Sequence, residues 1–303
     1  MSAEIVIGTR GSALARAQAD LVRDALETSG QRVRIATIQT VGDRRAPDTA
    51  WGEGAFVTAI ERALLDGEID VAVHSAKDIP TDEEPGTTIA AFLPRADPRD
   101  ALVVRDGLPA RTVRELPDGM RVGTDSPRRA GFLRAHRRGL VIHALHGNVD
   151  TRLRRLEAGE TDALVLACAG LDRLGRGDRI SERLDPEILP PAPGQGAIAI
   201  QVRSDDSQTL DLIGALDDRP TRIAVTAERA FLAASGGGCR APIGALAEVR
   251  GDRLDLLGGF AATDGSTAKV VHRSGPVARA SELAGELFRA LGARLDEPLA
   301  VTG

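Results

Sequence analysis

Cys239 stands behind three glycines in Ser235-Gly236-Gly237-Gly238-Cys239-Arg240-Ala241-Pro242. Glycine lets the backbone approach a ligand closely or take strained angles, and an arginine beside a thiol favours the thiolate. The stretch reads as an exposed loop carrying a thiol that favours the thiolate form; the plainer alternative is a glycine-rich helix stop with an incidental thiol. A second group is His74-Ser75-Ala76-Lys77-Asp78-Ile79-Pro80-Thr81, which directly continues the apolar run IDVAVH. Lys77 and Asp78 fall at the carboxyl end of that strand. Asp78 among arginines ionises readily and could stabilise a cation or relay protons; a surface ion pair is the ordinary alternative. Ser75 lacks the surroundings of a nucleophile elbow, which disfavours serine hydrolysis.

Two strand–turn–helix units carry a third chemistry. Arg10 and Ser12 decorate the first, and Thr124, Ser126, Arg128 and Arg129 the second. Helix N-termini favour anions through free N–H groups and the dipole, although helix capping by Ser12 and Ser126 is the common use of such residues. From Arg121 to Arg155 there are nine arginines and only two acids, Asp125 and Asp150. Arg134, Arg137, Arg138, Arg154 and Arg155 read as a solvated face, whereas Arg128, Arg129 and Arg152 sit beside turns. Arginine's planar fork suits carboxylates and phosphates alike. Cys168, inside ALVLACAGL, reads as a small core residue, and five scattered histidines with two distant cysteines give no metal-ligand spacing.

The elements that must position these groups follow from periodicity. Glu4–Gly8 reads as a strand, and Ser12 as the N-cap of a helix carrying Leu14, Ala17, Leu21, Ala25 and Leu26 on one face and closed by Gly30. A strand over Val33–Thr40, a helix over Phe56–Asp66 closed by Gly67 and a buried strand over Ile69–His74 come next. Val122-Gly123-Thr124 before Ser126-Pro127 repeats Ile7-Gly8-Thr9 before Ser12, and Gly159-Glu160-Thr161-Asp162 repeats Gly67-Glu68-Ile69-Asp70. Two similar α/β lobes with parallel sheets are expected, their ligand cleft at the carboxyl ends of the strands. Pro190-Pro191-Ala192-Pro193-Gly194 reads as a hinge, after which the strand Ala197–Arg203 returns to the first lobe. Beyond Pro220 come a helix to Ala234, strands near Ala245–Arg250, Leu254–Phe260 and Ala268–Arg273, and a helix over Ala278–Leu295, a small α+β unit. The domains predicted are lobe 1 from 1–94 and 195–216, lobe 2 from 98–189, and a C-terminal domain from 218–303.

Composition bounds the function. The chain has 303 residues, 42% hydrophobic and 27% charged, the profile of a multidomain globular protein. Its longest apolar run, Ala163–Leu171, is far short of the ~20 residues of a membrane span, and Met1–Leu14 does not resemble a secretory signal. Two cysteines suit a reducing cytoplasm. A net charge of −5 and 2% aromatics argue against nucleic-acid binding by charge or base stacking.

Taken together, IGTRGSALA, the HSAKDIPT loop, ADPRDALV, VGTDSPRRA, GNVDTRL, ACAGLDRL, PAPGQGAIAI and GGGCRAPIGA resemble, in order and over nearly the whole chain, the porphobilinogen deaminase (hydroxymethylbilane synthase) family. The resemblance implies a cytoplasmic monomer in an α/β fold: two doubly wound lobes like those of periplasmic binding proteins, plus a small α+β C-terminal domain. It implies a dipyrromethane cofactor, bound to Cys239 through a thioether and assembled by the enzyme itself. That primer is extended by four porphobilinogen units with loss of ammonia, and water then releases hydroxymethylbilane for tetrapyrrole biosynthesis. Each pyrrole carries acetate and propionate, and the resemblance assigns such carboxylates to Arg10, Ser12, Lys77, Thr124, Ser126, Arg128, Arg129, Arg152 and Arg173. Asp78 is the implied catalytic residue, holding pyrrole N–H groups and stabilising the cationic azafulvene formed as ammonia departs. Gln195 belongs to the hinge-side GQG motif, and Phe56 would pack near the substrate pyrrole.

Three positions depart from the family pattern. His146 stands where the motif has arginine, Glu53 where many members carry lysine, and Asp150 in place of a usual glycine. Histidine is shorter and only partly charged near neutrality, so the expectation is an active enzyme with weakened handling of the elongating chain. His146→Arg should then raise turnover or reduce stalled intermediates; unchanged kinetics would count against this. Two rival readings are a non-catalytic two-lobed binder of small polyanions, which leaves Cys239 and Asp78 without work, and an arginine-rich nucleic-acid binder, testable by salt-sensitive retention on DNA.

Overall fold

The computed structural model describes residues 4–40, 57–236, 238 and 241–292. In chain order the strands are β1 Ile5–Arg10, β2 Val33–Ile38, β3 Val71–Ser75, β4 Thr87–Phe92, β5 Asp100–Val104, β6 Arg121–Gly123, β7 Val141–His143, β8 Ala163–Ala167, β9 Glu182–Arg183, β10 Ile198–Arg203, β11 Ile243–Arg250, β12 Arg253–Ala261 and β13 Ala268–Pro276. The α-helices are α1 Ala13–Thr28, α2 Thr58–Leu65, α3 Pro127–His136, α4 Val149–Glu157, α5 Cys168–Arg173, α6 Ser207–Gly214, α7 Arg219–Ala234 and α8 Ala280–Leu291. Among the described residues no helix is long and apolar enough to cross a membrane.

Two five-stranded sheets share one plan, β2-β1-β3-β10-β4 and β7-β6-β8-β5-β9. The repeat seen in the sequence extends to single hydrogen bonds. Asp70 accepts from the Val6 N–H at 2.9 Å in one lobe, and Asp162 accepts from the Arg121 N–H at 3.0 Å in the other. Gly8 and Gly123 are required for the same reason: a Cβ on Gly8 would lie 2.2 Å from Ile69, and one on Gly123 2.7 Å from Leu164 and 3.2 Å from Thr161. A side chain at either place would force the packed Ile69 or Leu164 side chain to move.

The sheets are mixed rather than parallel. β1 pairs in parallel with β2 and β3, but β10 runs antiparallel to β3 and β4, and β5 antiparallel to β8 and β9. The fourth strand in each sheet is the one that arrives from the other lobe. Ile198 begins β10 opposite Ser75 at the end of β3, and Asp100 begins β5 opposite Ala167 at the end of β8. A chain entering from across the cleft meets the carboxyl ends first, so it can only run back against them. Both crossovers therefore line the cleft.

The face of α1 also differs from the periodic reading. Ala15, Gln18, Ala19, Val22 and Leu26 are buried, while Leu21 is 45% exposed. Leu14 is turned toward α5 of the other lobe, where a Cβ on Gly170 would meet it at 3.4 Å. Contact between lobes, not the sheet beneath, takes that apolar side chain.

The third unit is the antiparallel meander β11-β12-β13, covered by α7 and α8. Phe231 and Phe288 meet edge to face at 6.4 Å in its core. α8 ends at Gly292, whose φ of +62° supplies the left-handed cap. Helix α7 fastens this unit to the crossovers: the wholly buried Glu228 accepts from Arg95, from Gly194 N at 2.7 Å and from Ala247 N at 2.7 Å. Arg229 donates to the carbonyls of Ile79 and Pro80, at 3.0 and 2.6 Å, and so steadies the loop after Asp78.

Candidate active site

The two β–α turns face the cleft as their sequences predict. Ser12 caps α1 by accepting from Ala15 N at 3.3 Å, and Ser126 caps α3 by accepting from Arg129 N at 3.4 Å. Thr9 and Thr124 are buried equivalents behind these caps; Thr124 Oγ1 accepts from Ser126 N at 3.2 Å. In the first lobe a cavity of about 60 Å³ is lined by Arg10, Ser12, Gln18, His74, Ser75 and Asp78 with apolar neighbours. Asp78 ends a single 3₁₀ turn, Ala76–Asp78, that follows β3 and is tied to the crossover by Ala76 N–H donating to Ala197 O at 3.0 Å.

Neither His74 nor Ser75 is arranged for nucleophilic work. Ser75 Oγ is bonded to the Gln18 amide, at 2.9 and 3.1 Å. Gln201 spends its amide nitrogen on Glu61 and Thr87, so its oxygen accepts from His74 Nε2 at 3.1 Å. Burial holds this imidazole neutral, down at about 4.

Asp100, which received no role from sequence, is the hub of the site. Fully buried at the start of β5, it accepts from Arg128 Nη1 at 2.7 Å, from Arg129 Nε and Nη2 at 3.0 and 2.7 Å, and from Gln195 Nε2 at 3.1 Å. Burial opposes its ionisation, but Arg128 and Arg129 outweigh that and hold the carboxyl at about 2. Gln195 Oε1 in turn accepts from Lys77 Nζ at 3.2 Å. Burial, with Arg129 beside it, lowers the Lys77 ammonium to about 8 against the pull of Asp78 and Asp100.

A second acid missed by sequence, Asp125, occupies the neighbouring turn. Both its oxygens bind the Arg152 guanidinium, at 2.9 and 3.0 Å, and one lies 3.3 Å from His146 Nδ1. Burial works against its charge, and Arg152, Arg129 and His146 together keep its carboxyl below the usual range. Arg173 is different: it donates to Gly196 O at 2.7 Å, and burial alone lowers it, to about 10. Asp150 lies in the first turn of α4, where a negative charge suits the helix dipole.

Structure thus brings Arg10, Ser12 and Asp78 together at one cavity, joins Lys77, Gln195, Arg128 and Arg129 through Asp100, and pairs His146 with Arg152 through Asp125. Phe56, Glu53 and Cys239 lie outside the described residues. Cys168 is core: wholly buried, its thiol pushed up to about 12. The signal for the missed acids was the unbalanced arginine count between Arg121 and Arg155, since buried guanidiniums need anions nearby.

The family profile described as "Porphobilinogen deaminase, dipyromethane cofactor binding domain" matches residues 5–211, and "Porphobilinogen deaminase, C-terminal domain" matches residues 222–292. This chain belongs to the porphobilinogen deaminase family. The porphobilinogen deaminase of Mycobacterium marinum is 52% identical over 304 residues, covering 96% of each chain. That of Mycobacterium tuberculosis strain H37Rv is 50% identical, covering 96% of this chain and 97% of its own. A periplasmic substrate-binding protein of an ABC transporter from Coxiella burnetii superposes on 74% of this chain and 94% of its own, at a TM-score of 0.45 and 16% identity, too loosely to add to the sheet orders above. Porphobilinogen deaminases are transferases of tetrapyrrole biosynthesis with a dipyrromethane cofactor, and this cleft suits such a polycarboxylate. Lys77 and Arg173 are half-buried cations whose described hydrogen bonds go to a neutral amide and a carbonyl, which leaves each with N–H donors for an added carboxylate.

Proposed function

We propose that this chain condenses four porphobilinogen molecules, one after another, onto a dipyrromethane primer held by Cys239, and then releases hydroxymethylbilane by hydrolysis. The primer, when bound, supplies the nucleophilic pyrrole carbon; the protein supplies binding, orientation and charge. The observation that carries this reading is that Asp78 lines one cavity with Arg10 and Ser12, while the adjacent Lys77 is linked through Gln195 and Asp100 to Arg128 and Arg129. Asp78 takes the pyrrole N–H and stabilises the cation that forms as ammonia leaves the substrate, a fixed opposite charge needing no reorganisation.

Arg10, Ser12, Lys77, Thr124, Ser126, Arg129, Arg152 and Arg173 hold the acetate and propionate groups. Arg128, 4% exposed and bonded to Asp100 and Pro190 O, acts by fixing Asp100 and the crossover. Gln195 joins Lys77 to Asp100 across the two lobes, and Phe56 packs against the substrate ring. The division into 1–94 with 195–216, 98–189 and 218–303, the monomeric state and the cytoplasmic location belong to the same reading; the pairing of strands across the crossovers supports the first, and the scarcity of cysteine the last.

Intact mass of the protein purified from cells, beside a Cys239→Ser control, tests the reading. Two linked pyrrole units are expected on the former and none on the latter, with further units added by porphobilinogen. A protein that neither carries nor acquires pyrrole units would instead be a binder of small polyanions.

A further inference from the structure

The two repeated turns differ in the charge they present. After the buried threonine the first lobe places Arg10, and the second places Asp125. Asp125 is held by a fork: Arg152 Nη1 and Nη2 meet its two oxygens at 2.9 and 3.0 Å, while Arg152 Nε donates to Gly147 O at 2.7 Å. His146 Nδ1 lies 3.3 Å from the same carboxylate. All three side chains are mostly buried, with 20%, 14% and 15% exposure for Asp125, Arg152 and His146. Bidentate contact between guanidinium and carboxylate is the geometry a substrate carboxylate would use. Here the protein provides that carboxylate itself.

Resting on the function proposed above, we infer that Asp125 is an internal counter-carboxylate: in the unextended enzyme it fills the place at Arg152 and His146 that a carboxylate of the growing chain takes, and so sets how firmly that chain is held. The exchange swaps one carboxylate for another, so Arg152 is never left as a buried cation without an anion, a state that is strongly unfavourable. Its cost is borne by binding, because every arriving carboxylate must displace Asp125. Asp125 is therefore a specificity-determining residue that acts through Arg152. Arg129, the other cation facing it, stays occupied by Asp100, so the competition falls on Arg152 and His146.

The test compares wild-type holoenzyme with Asp125→Asn and Asp125→Ser, each given less porphobilinogen than full extension requires. Intact mass reads the ladder of covalently bound chains, and thermal midpoints are measured before and after extension. Both variants should enrich the longest chains about tenfold, the scale of one charge-assisted hydrogen bond. They should also lower the midpoint of the unextended form and recover it on extension. In an Arg152→Gln background Asp125→Asn should change neither quantity, because contacting residues are not additive. A normal wild-type ladder left unchanged by both variants, or shifted equally without Arg152, would overturn this inference alone. A wild-type protein with no primer and no ladder would overturn the proposed function and the inference with it.

Discussion

Arg95 in the first crossover and Glu228 on α7 form a two-point ion pair, Nη1 to Oε1 at 2.6 Å and Nη2 to Oε2 at 3.0 Å, with the glutamate wholly buried. Arg95 Nε also donates to Gln195 O at 2.9 Å. A single carboxylate thus holds the third unit against the segment through which both lobes communicate. Glu228→Ala leaves Arg95 without its anion and strips the Gly194 and Ala247 N–H groups of an acceptor. A loss of about 3–5 kcal/mol is expected, the usual result of breaking a buried pair on one side. Urea unfolding checks it, and a loss under about 1 kcal/mol would show that the pair is not what holds the crossover.

Asp100 gives a prediction with a pH signature. Its folded carboxyl is depressed to about 2 from an ordinary 3.8, so its contribution to stability is present above the ordinary value and disappears as pH falls through about 2. Asp100→Asn should destabilise the protein at neutral pH, because Arg128 and Arg129 lose their shared anion. The variant's acid-unfolding curve should also be flatter than wild type below pH 4. Parallel curves would place the acid sensitivity in other carboxylates.

Lys77 should set an alkaline limit on substrate capture. With its ammonium lowered to about 8, the charged form is lost as pH rises through that value. Profiles of kcat/KM report groups of the free enzyme, so kcat/KM should fall above pH 8. Lys77→Arg, whose charge persists, should move that fall to higher pH even if its absolute rate is lower. An unchanged alkaline limb would exclude Lys77 as its source.

Asp78→Asn should separate chemistry from assembly. Removing a charge placed against a developing cation costs about 10²–10³-fold in kcat. The thermal midpoint should barely move, since the half-buried carboxylate lines the cavity rather than a core cluster. A fall in kcat of less than about tenfold would leave Asp78 a binding residue only.

The sequence by itself determined what lies within a few residues of itself. Ser12 and Ser126 cap the helices they precede, Gly30, Gly67 and Gly159 take positive φ at the ends of helical segments, and the two lobes repeat each other down to Asp70 and Asp162. Caps, turns and periodicity are local, so they can be read locally. The position of Lys77 and Asp78 just after β3 was legible for the same reason, whereas Gln195 entered only through the family motif PAPGQGAIAI. Tertiary structure alone decided the rest. β5 and β10 run antiparallel because the chain enters each sheet across the cleft, and Leu14 leaves its helix face because the other lobe is there to receive it. The anions were hidden most completely: Asp100 and Arg129 are 29 residues apart, Asp100 and Gln195 are 95, and Arg95 and Glu228 are 133. A buried guanidinium requires a counter-charge, but no local pattern specifies which acid arrives; that choice belongs to the folded chain.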